Sequence, residues 1–225
     1  MKKKIIIVGG GKGGVGKTMV CASLTDALMA RGESVLLIES DTSNPDIYKM
    51  YCEELETRLL DLDTADGWID LVNSCDERKD HTVLINTAAR NNKGVAAYSQ
   101  TLKNTLKELE RELVTFWVIN RQRDSVELLK EYMEELPDTR VHVVRNGHYG
   151  EEAKFELYND SKLRKQVEDA GGQSLMFPDL ADRVSDALYS QRLSIRAALE
   201  SMPIGNRAEL QRWRAAAQKM FERAL

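Results

Sequence analysis

Short apolar runs alternate with longer amphipathic stretches along the whole chain. Most of the short runs are apolar at every position, which predicts strands buried on both faces, as in a parallel sheet covered by helices. The predicted strands are Lys4–Val8, Ser34–Glu39, Thr82–Asn86, Leu113–Ile119, Arg140–Arg145 and Gln173–Phe177.

The amphipathic stretches between these runs predict helices that cross over from one strand to the next. Right-handed crossovers give an α/β fold, a three-layer sandwich around a doubly wound, mostly parallel sheet. Ligands of such sheets bind at the carboxyl ends of the strands. The predicted helices are Lys17–Arg31, Trp68–Cys75, Val95–Glu112, Ser125–Glu135, Ser161–Ala170, Leu180–Gln191 and Arg207–Arg223.

Composition favours one soluble domain over residues 1–225, because 42% of the residues are hydrophobic and the mean hydropathy is -0.43. The apolar run in "MKKKIIIVGG" is too short for a signal peptide and predicts a first strand. The net charge of -4 gives no overall nucleic-acid signal. Three widely spaced cysteines and scattered histidines predict neither a zinc nor an iron–sulfur site, and we expect a cytoplasmic protein.

The stretch "GKGGVGKT", Gly11–Thr18, follows an apolar strand and begins a helix, the context of a phosphate-binding loop. Its glycines bring backbone N–H groups close to phosphate oxygens, and the helix directs its positive end to the same place. Lys17 is expected at the β- and γ-phosphates, and the Thr18 hydroxyl at Mg²⁺. The alternative is a glycine-rich turn without a ligand. The predicted nucleotide contacts are Gly11, Lys12, Gly13, Gly14, Val15, Gly16, Lys17, Thr18 and Met19.

Lys12 makes the motif narrower than a general phosphate loop. The form K-G-G-x-G-K-[ST] resembles the deviant Walker A ATPases of the ParA/MinD group, within the SIMIBI class of P-loop proteins. This resemblance implies P-loop topology and a homodimer that forms on ATP binding, with Lys12 touching the partner's nucleotide. The alternative is an exposed lysine that contacts its own nucleotide or only solvent.

The family usually has two aspartates after the second strand, whereas this chain has Glu39 and Asp41 in "LLIESDTSNPDIY". The resemblance implies that Asp41 lies near Mg²⁺ and helps to place the attacking water. It also implies that residues 42–46 form a mobile switch. The alternative for Asp41 is a turn or capping residue.

The third predicted strand ends "TVLINTAARNNKG", with Asn86 where the family has an aspartate. We expect nucleotide binding to survive, with weaker Mg²⁺ dependence and slow hydrolysis, because an asparagine still accepts a hydrogen bond from a metal-bound water. A protein that switches on binding without hydrolysis is the alternative. The predicted metal-site residues are thus Thr18, Asp41 and Asn86, and the predicted catalytic residues are Lys12, Lys17 and Asp41.

Two further strand ends are candidates for the nucleotide base. The resemblance implies that Asn146 hydrogen-bonds the base, with Asn120 as the competing residue, and that Pro178 and Asp179 pack against it. A proline that merely ends the strand before a helix is the alternative. The chain lacks the N-K-x-D motif of GTPases, which favours ATP/ADP over guanine nucleotides.

The stretch at about 206–224 predicts an amphipathic C-terminal helix with an apolar face and several arginines and lysines on the rest of its surface. Three interpretations remain open. The helix packs on the core, it binds DNA through phosphate contacts, or it lies on a membrane surface. Its alanine-rich apolar face disfavours the membrane.

The resemblance implies a ParA/MinD-type switch whose ATP-bound dimer binds DNA non-specifically or a DNA-bound adaptor, so nucleoid or plasmid association is expected. "ESDTSNPDIYK" and "NTAARNN" also resemble the plasmid-borne StbB- and TraL-like branch, which acts in plasmid stability and conjugation. The rival hypotheses are a non-hydrolysing nucleotide-binding scaffold and a small-molecule or kinase-type enzyme on the same fold.

Overall fold

The computed structural model describes residues 3–89, 92–137 and 139–225. Within these ranges seven parallel strands form one sheet in the order β3-β2-β4-β1-β5-β6-β7. Arg90 and Asn91 of "NTAARNN" lie outside the described residues. The strands are β1 (Lys4–Gly9), β2 (Val35–Glu39), β3 (Thr57–Leu59), β4 (Thr82–Asn86), β5 (Glu112–Ile119), β6 (Arg140–Asn146) and β7 (Ser174–Phe177).

Helices cover both faces of the sheet, so the predicted three-layer, doubly wound α/β fold is confirmed, with every strand parallel. Alternate residues of β1 point to opposite faces of the sheet. Ile5 and Ile7 pack on one side, and Ile6 and Val8 pack on the other. The helices are α1 (Lys17–Ala30), α2 (Asp46–Tyr51), α3 (Ala65–Glu77), α4 (Asn92–Thr105), α5 (Arg123–Glu135), α6 (Glu156–Asn159), α7 (Lys162–Asp169), α8 (Asp182–Gln191), α9 (Ile195–Ser201) and α10 (Ile204–Phe221).

The largest error in a predicted helix boundary is at the end of α4. The helix expected to run to Glu112 ends at Thr105, and Glu112 instead begins β5. The chain turns back because Arg111 is buried and its guanidinium donates to the carbonyl oxygens of Cys75 (3.0 Å) and His81 (2.8 Å).

Four elements were not predicted as such, the short helix α6 among them. Strand β3 has three residues at the sheet edge, none of them buried, and so carries little hydrophobic signal. Helix α2 begins at Asp46, where the expected switch segment ends. Helix α9, between α8 and α10, packs Ile195 and Ala198 into the core.

The C-terminal helix α10 packs its apolar face on the core through Leu210, Trp213 and Phe221. Two of its arginines bind acids rather than facing solvent freely. Arg212 pairs with Glu209 (2.6 Å), and Arg214 pairs with the buried Asp26 of α1 (2.7 Å). No helix among the described residues is both long and apolar enough to cross a membrane.

We predict a pH-dependent stability that comes from His142 of β6. This side chain is buried, stacks on Phe116 at 5.1 Å between ring centroids, and finds no hydrogen-bond partner for either ring nitrogen. Burial, together with nearby Arg140 and Lys4, lowers the pKa of His142 from 6.5 to about 4. The unfolded chain therefore binds a proton below pH 6.5 that the folded chain does not, and stability falls as the pH drops from about 6.5 towards 4.

The test compares the wild type with His142→Phe by urea unfolding at pH 7.5 and pH 5. The wild type should lose roughly 2 kcal/mol more unfolding free energy than the variant between these pH values. The comparison cancels the titration of other groups. An equal loss in both proteins would contradict a neutral, buried His142.

Candidate functional site

The loop between β1 and α1 lies at the carboxyl end of the sheet, where the strand order reverses around β1. Gly16 precedes α1 with a φ of 101°, in the left-handed region that favours glycine. Because glycine has no side chain, it provides no cap, and the first N–H groups of α1 have no side-chain acceptor. These amides and the positive end of the helix form a site for an anion.

Crowding also requires glycine at position 16. A Cβ atom there would lie 2.3 Å from Nδ2 of Asn146. That nitrogen donates to the carbonyl oxygen of Val15 (2.8 Å), which holds the loop against the end of β6. On the outer side of the loop, the Tyr149 hydroxyl donates to the carbonyl oxygen of Gly14.

A cavity of about 340 Å³, here called the phosphate cavity, lies in front of the loop. Lys17 is buried beside it, and its Nζ donates to the carbonyl oxygen of Lys12 (2.9 Å). Burial lowers the pKa of Lys17 to about 8, although Asp41 and Glu39 act in the opposite direction. An anionic ligand would restore the charge that burial opposes. The cavity is lined by Gly13, Gly14, Gly16, Lys17, Thr18, Asp41, Asn44, Asp46, Asn86, Thr87, Ala89 and Tyr189.

Lys12 has a different environment from Lys17, since it is not among the residues that line the phosphate cavity. Its Nζ binds Oδ2 of Asp124 (2.7 Å) and Oε1 of Gln122 (2.9 Å) at the start of α5. The pair is solvent-accessible, with 31% of the Lys12 side chain and 59% of the Asp124 side chain exposed. The hydrogen bond from Lys12 lowers the pKa of Asp124. The two lysines of the loop thus face different surroundings.

Three predicted metal-site residues, Thr18, Asp41 and Asn86, line the phosphate cavity together. Asp41 accepts a hydrogen bond from the N–H of Asn44 (3.0 Å), which shapes the turn after β2. Within the described chain no group of three His, Cys, Asp or Glu residues gathers as a metal cage. Mg²⁺ needs no such cage, because it usually takes one or two protein oxygens, phosphate oxygens and water.

Asn86 provides a direct test of whether the site fits a hydrated cation. The residue is buried, and its Oδ1 has no hydrogen-bond partner in the structure. An unpaired buried acceptor is costly, and a metal-bound water in the cavity is a donor that would satisfy it. The oxygen donors present therefore fit Mg²⁺.

The sequence did not predict the position of Glu39. It is fully buried and does not line the phosphate cavity. Its carboxylate accepts hydrogen bonds from the N–H groups of Asp41 (2.9 Å) and Ile47 (3.1 Å) and from Nδ2 of Asn86. Burial raises the pKa of Glu39 to about 7, against the effect of these hydrogen bonds. Glu39 is a structural acid behind the cavity.

A second cavity of about 200 Å³, here called the base cavity, adjoins the first and shares Gly14, Gly16 and Tyr189 with it. Asn146, Pro178 and Asp179 line it, as does Met19. The carbonyl oxygen of Pro178 accepts a hydrogen bond from the Trp213 indole of α10 (2.9 Å), so the C-terminal helix holds this loop in place.

Asn120 does not line either cavity. Its Oδ1 accepts hydrogen bonds from the Ser125 hydroxyl (2.7 Å) and the N–H of Gln122 (2.9 Å), so it shapes the start of α5. Of the two candidates, only Asn146 is placed beside the predicted base loop.

Sequence reasoning missed Tyr149 and Tyr189, which both line the base cavity. Tyr149 ends a three-residue 3₁₀-helix directly after β6, which is too short for a periodic pattern to mark its direction. Tyr189 is 39% exposed on α8, and a single exposed aromatic residue on a helix is an ordinary observation.

Comparison with known proteins indicates a nucleotide-binding domain. Residues 6–148 match the family model described as the CobQ/CobB/MinD/ParA nucleotide binding domain. The chain is 66% identical over 222 residues to "Protein MobD" of Acidithiobacillus ferrooxidans, covering 99% of this chain and 98% of that protein.

Two solved structures share the fold at low sequence identity. The MinC:MinD cell division protein complex of Aquifex aeolicus matches with a TM-score of 0.57 and 15% identity, covering 97% of this chain and 96% of that chain. A nucleotide-binding protein of Archaeoglobus fulgidus in complex with ADP matches with a TM-score of 0.51 and 17% identity, covering 89% of this chain and 92% of that chain. The resemblance inferred from Lys12 and the phosphate loop is therefore confirmed, and this chain belongs to the CobQ/CobB/MinD/ParA family of nucleotide-binding domains.

Proposed function

We propose that this protein is an ATP-dependent dimerisation switch. ATP and Mg²⁺ bind at the phosphate cavity, two copies join face to face, and Lys12 of each copy reaches the nucleotide of the other. The observation that carries this proposal is the different placement of the two loop lysines. Lys17 is buried at its own cavity, whereas Lys12 is outside it and bound to Gln122 and Asp124.

Electrostatics makes ATP the signal for assembly. A lysine that faces a triphosphate across an interface from which water is excluded is strongly paired, whereas one that faces another lysine is repelled. Leaving Asp124 costs little, because water screens an exposed ion pair such as this one. A nucleotide on the partner therefore competes easily for Lys12.

ATP is the proposed nucleotide, with the base held in the base cavity. Asn146 retains one amide hydrogen beyond its bond to Val15, and Pro178 and Asp179 line the same cavity. The ADP-bound Archaeoglobus fulgidus structure, which shares the fold, supports an adenine nucleotide.

Hydrolysis is proposed to be slow and to depend on a partner. Asp41 is the acid at the phosphate cavity that would orient the attacking water, and Lys17 would stabilise the charge that develops on the phosphate oxygens. Mg²⁺, when bound, neutralises phosphate charge and aligns the γ-phosphate. Asn86 adds no negative charge, which favours weak metal binding and slow turnover. A scaffold that binds ATP without hydrolysing it is the second candidate, favoured by the same residue.

Plasmid mobilisation is the process we propose, on the strength of the 66% identity to Protein MobD. The ATP-bound dimer would bind DNA non-specifically or a DNA-bound adaptor. The MinC:MinD complex supports an adaptor, because MinD has the same fold and binds a protein partner. Pairing of Arg212 and Arg214 with acids leaves α10 a less basic surface than its sequence indicates.

The first prediction separates the two lysines. Lys12→Ala should bind ATP within a few-fold of the wild type but stay monomeric, because only the contact with the partner is lost. Lys17→Ala should lose both properties. Titration calorimetry measures binding, and light scattering with Mg-ATP measures mass. A Lys12→Ala protein that dimerises normally would refute the face-to-face dimer.

The second prediction concerns the ion pair that holds Lys12. Asp124→Asn frees Lys12 and should lower the dimer dissociation constant in Mg-ATP by up to about fivefold, as expected for an exposed pair. Glu127→Gln, on the same helix, makes the same change in charge without a contact to Lys12 and serves as the control. Equal behaviour of the two variants in sedimentation experiments would contradict this role of Asp124.

The third prediction concerns the phosphate loop. Gly16→Ala should weaken ATP binding at least roughly tenfold, because the new Cβ collides with Asn146 and displaces the loop. Gly32→Ala is a matched control, since Gly32 has a similar positive φ (73°) in open space after α1. It should lose about 1 kcal/mol of stability and keep its ATP affinity. Similar ATP affinities in both variants would show that the clash at position 16 is irrelevant.

A further inference from the structure

Two buried side chains lie side by side at the carboxyl ends of neighbouring strands. Glu39 ends β2, Asn86 ends β4, and the two residues are register partners in the sheet. The amide nitrogen of Asn86 donates to both carboxylate oxygens of Glu39, at 3.0 Å and 3.2 Å. Asn86 lines the phosphate cavity, and Glu39 lies behind it.

The remaining bonds of the carboxylate reach into the segment that carries Asp41. One oxygen accepts the N–H of Asp41, and the other accepts the N–H of Ile47 at the start of α2. Glu39 therefore connects both ends of residues 41–47 to Asn86. Each of its two oxygens accepts one backbone N–H and also accepts from the amide nitrogen of Asn86.

This arrangement decides how the amide of Asn86 is oriented. An ionised carboxylate only accepts hydrogen bonds, so Asn86 must present its NH₂ group to Glu39. Its Oδ1 is then left without a protein partner, and Asn86 lines the phosphate cavity together with Thr18 and Asp41. The orientation that suits a metal-bound water is the one that Glu39 imposes.

We propose that Glu39 is a positioning residue that makes Asn86 an acceptor for the hydrated metal, so that acid and amide at positions 39 and 86 form one unit. A buried Glu39 thus requires an uncharged amide, rather than a second carboxylate, at position 86. An aspartate at position 86 would place two carboxylates in contact in a buried site, where like charges repel strongly. This inference rests on the proposed Mg²⁺–ATP site.

The test is a double-mutant cycle of Glu39→Gln, Asn86→Asp and the double variant, at pH 8. Two quantities are measured for each protein. One is the Mg²⁺ concentration that gives half of the metal-dependent gain in ATP affinity, here called the Mg²⁺ midpoint. The other is the thermal midpoint of the protein without nucleotide or metal.

The two single variants should differ from the wild type for different physical reasons. Asn86→Asp should lower the thermal midpoint by roughly 5 °C through repulsion between the two carboxylates. Glu39→Gln should raise the Mg²⁺ midpoint several-fold. The glutamine amide can donate to Oδ1 of Asn86, so the NH₂ group of Asn86 can turn to the cavity, where it cannot accept a hydrogen bond from a metal-bound water. Glu39→Gln should lower the thermal midpoint as well, because the N–H of Asp41 or of Ile47 loses its acceptor.

The double variant gives the result that a purely structural role would not produce. The glutamine introduced at position 39 donates to the aspartate introduced at position 86, which removes the repulsion, and a carboxylate oxygen now faces the cavity. Most of the loss in thermal midpoint caused by Asn86→Asp should disappear. The Mg²⁺ midpoint should fall below that of the wild type.

A control pair lies at the other end of the same two strands, where Glu33 accepts a hydrogen bond from the Thr82 hydroxyl (2.8 Å). Glu33→Gln combined with Asn86→Asp should give additive effects, since these residues share no partner. Additive effects in the Glu39–Asn86 cycle, or a stable Asn86→Asp protein with a tighter Mg²⁺ midpoint, would overturn the inference. A wild type that binds no ATP would refute the proposed function instead, and the thermal midpoints would still decide whether the two residues act as one unit.

Discussion

The unpaired N–H groups at the start of α1 are the feature on which the rest of the site depends. Gly16 holds the left-handed conformation there and provides no capping side chain, so an anion is the natural partner of these amides. Asn146 and Tyr149 hold the loop from the side of β6, and Lys17 approaches from within the loop. The free amides, together with the buried Lys17, favour an anion in the cavity at this edge of the sheet.

Opposite charges are distributed around this edge in separate places. Lys17 is buried at the cavity with a pKa lowered to about 8 by burial, and it therefore gains from a bound phosphate. Lys12 is bound to Asp124 at the surface and is available to a second molecule. Glu39 is buried behind the cavity, with its pKa raised to about 7, while Asp41 lines the cavity itself. In the proposed switch, Lys17 binds the nucleotide of its own chain and Lys12 binds the nucleotide of the partner.

Much of the fold could be predicted from the sequence, because the buried strands are continuous apolar runs and the phosphate loop has a specific spacing. The six predicted strands were placed to within one residue at each end. Strand β3 was missed because a short, half-exposed edge strand carries little pattern. The role of Glu39 was missed for another reason. Its partners, the amides of Asp41 and Ile47 and the side chain of Asn86, meet only when β2 and β4 pair in register. Tyr149 was missed because it reaches Gly14 from a short 3₁₀-helix far along the chain.

The most direct test of the switch is the molar mass of the wild-type protein in solution, measured by light scattering first with Mg-ADP and then with Mg-ATP. A monomer in ADP that becomes a dimer in ATP is the predicted result, because only the triphosphate offers Lys12 a partner across the interface. The same mass in both nucleotides, whether monomer or dimer, would contradict the account and would make the bound nucleotide a structural part of the protein.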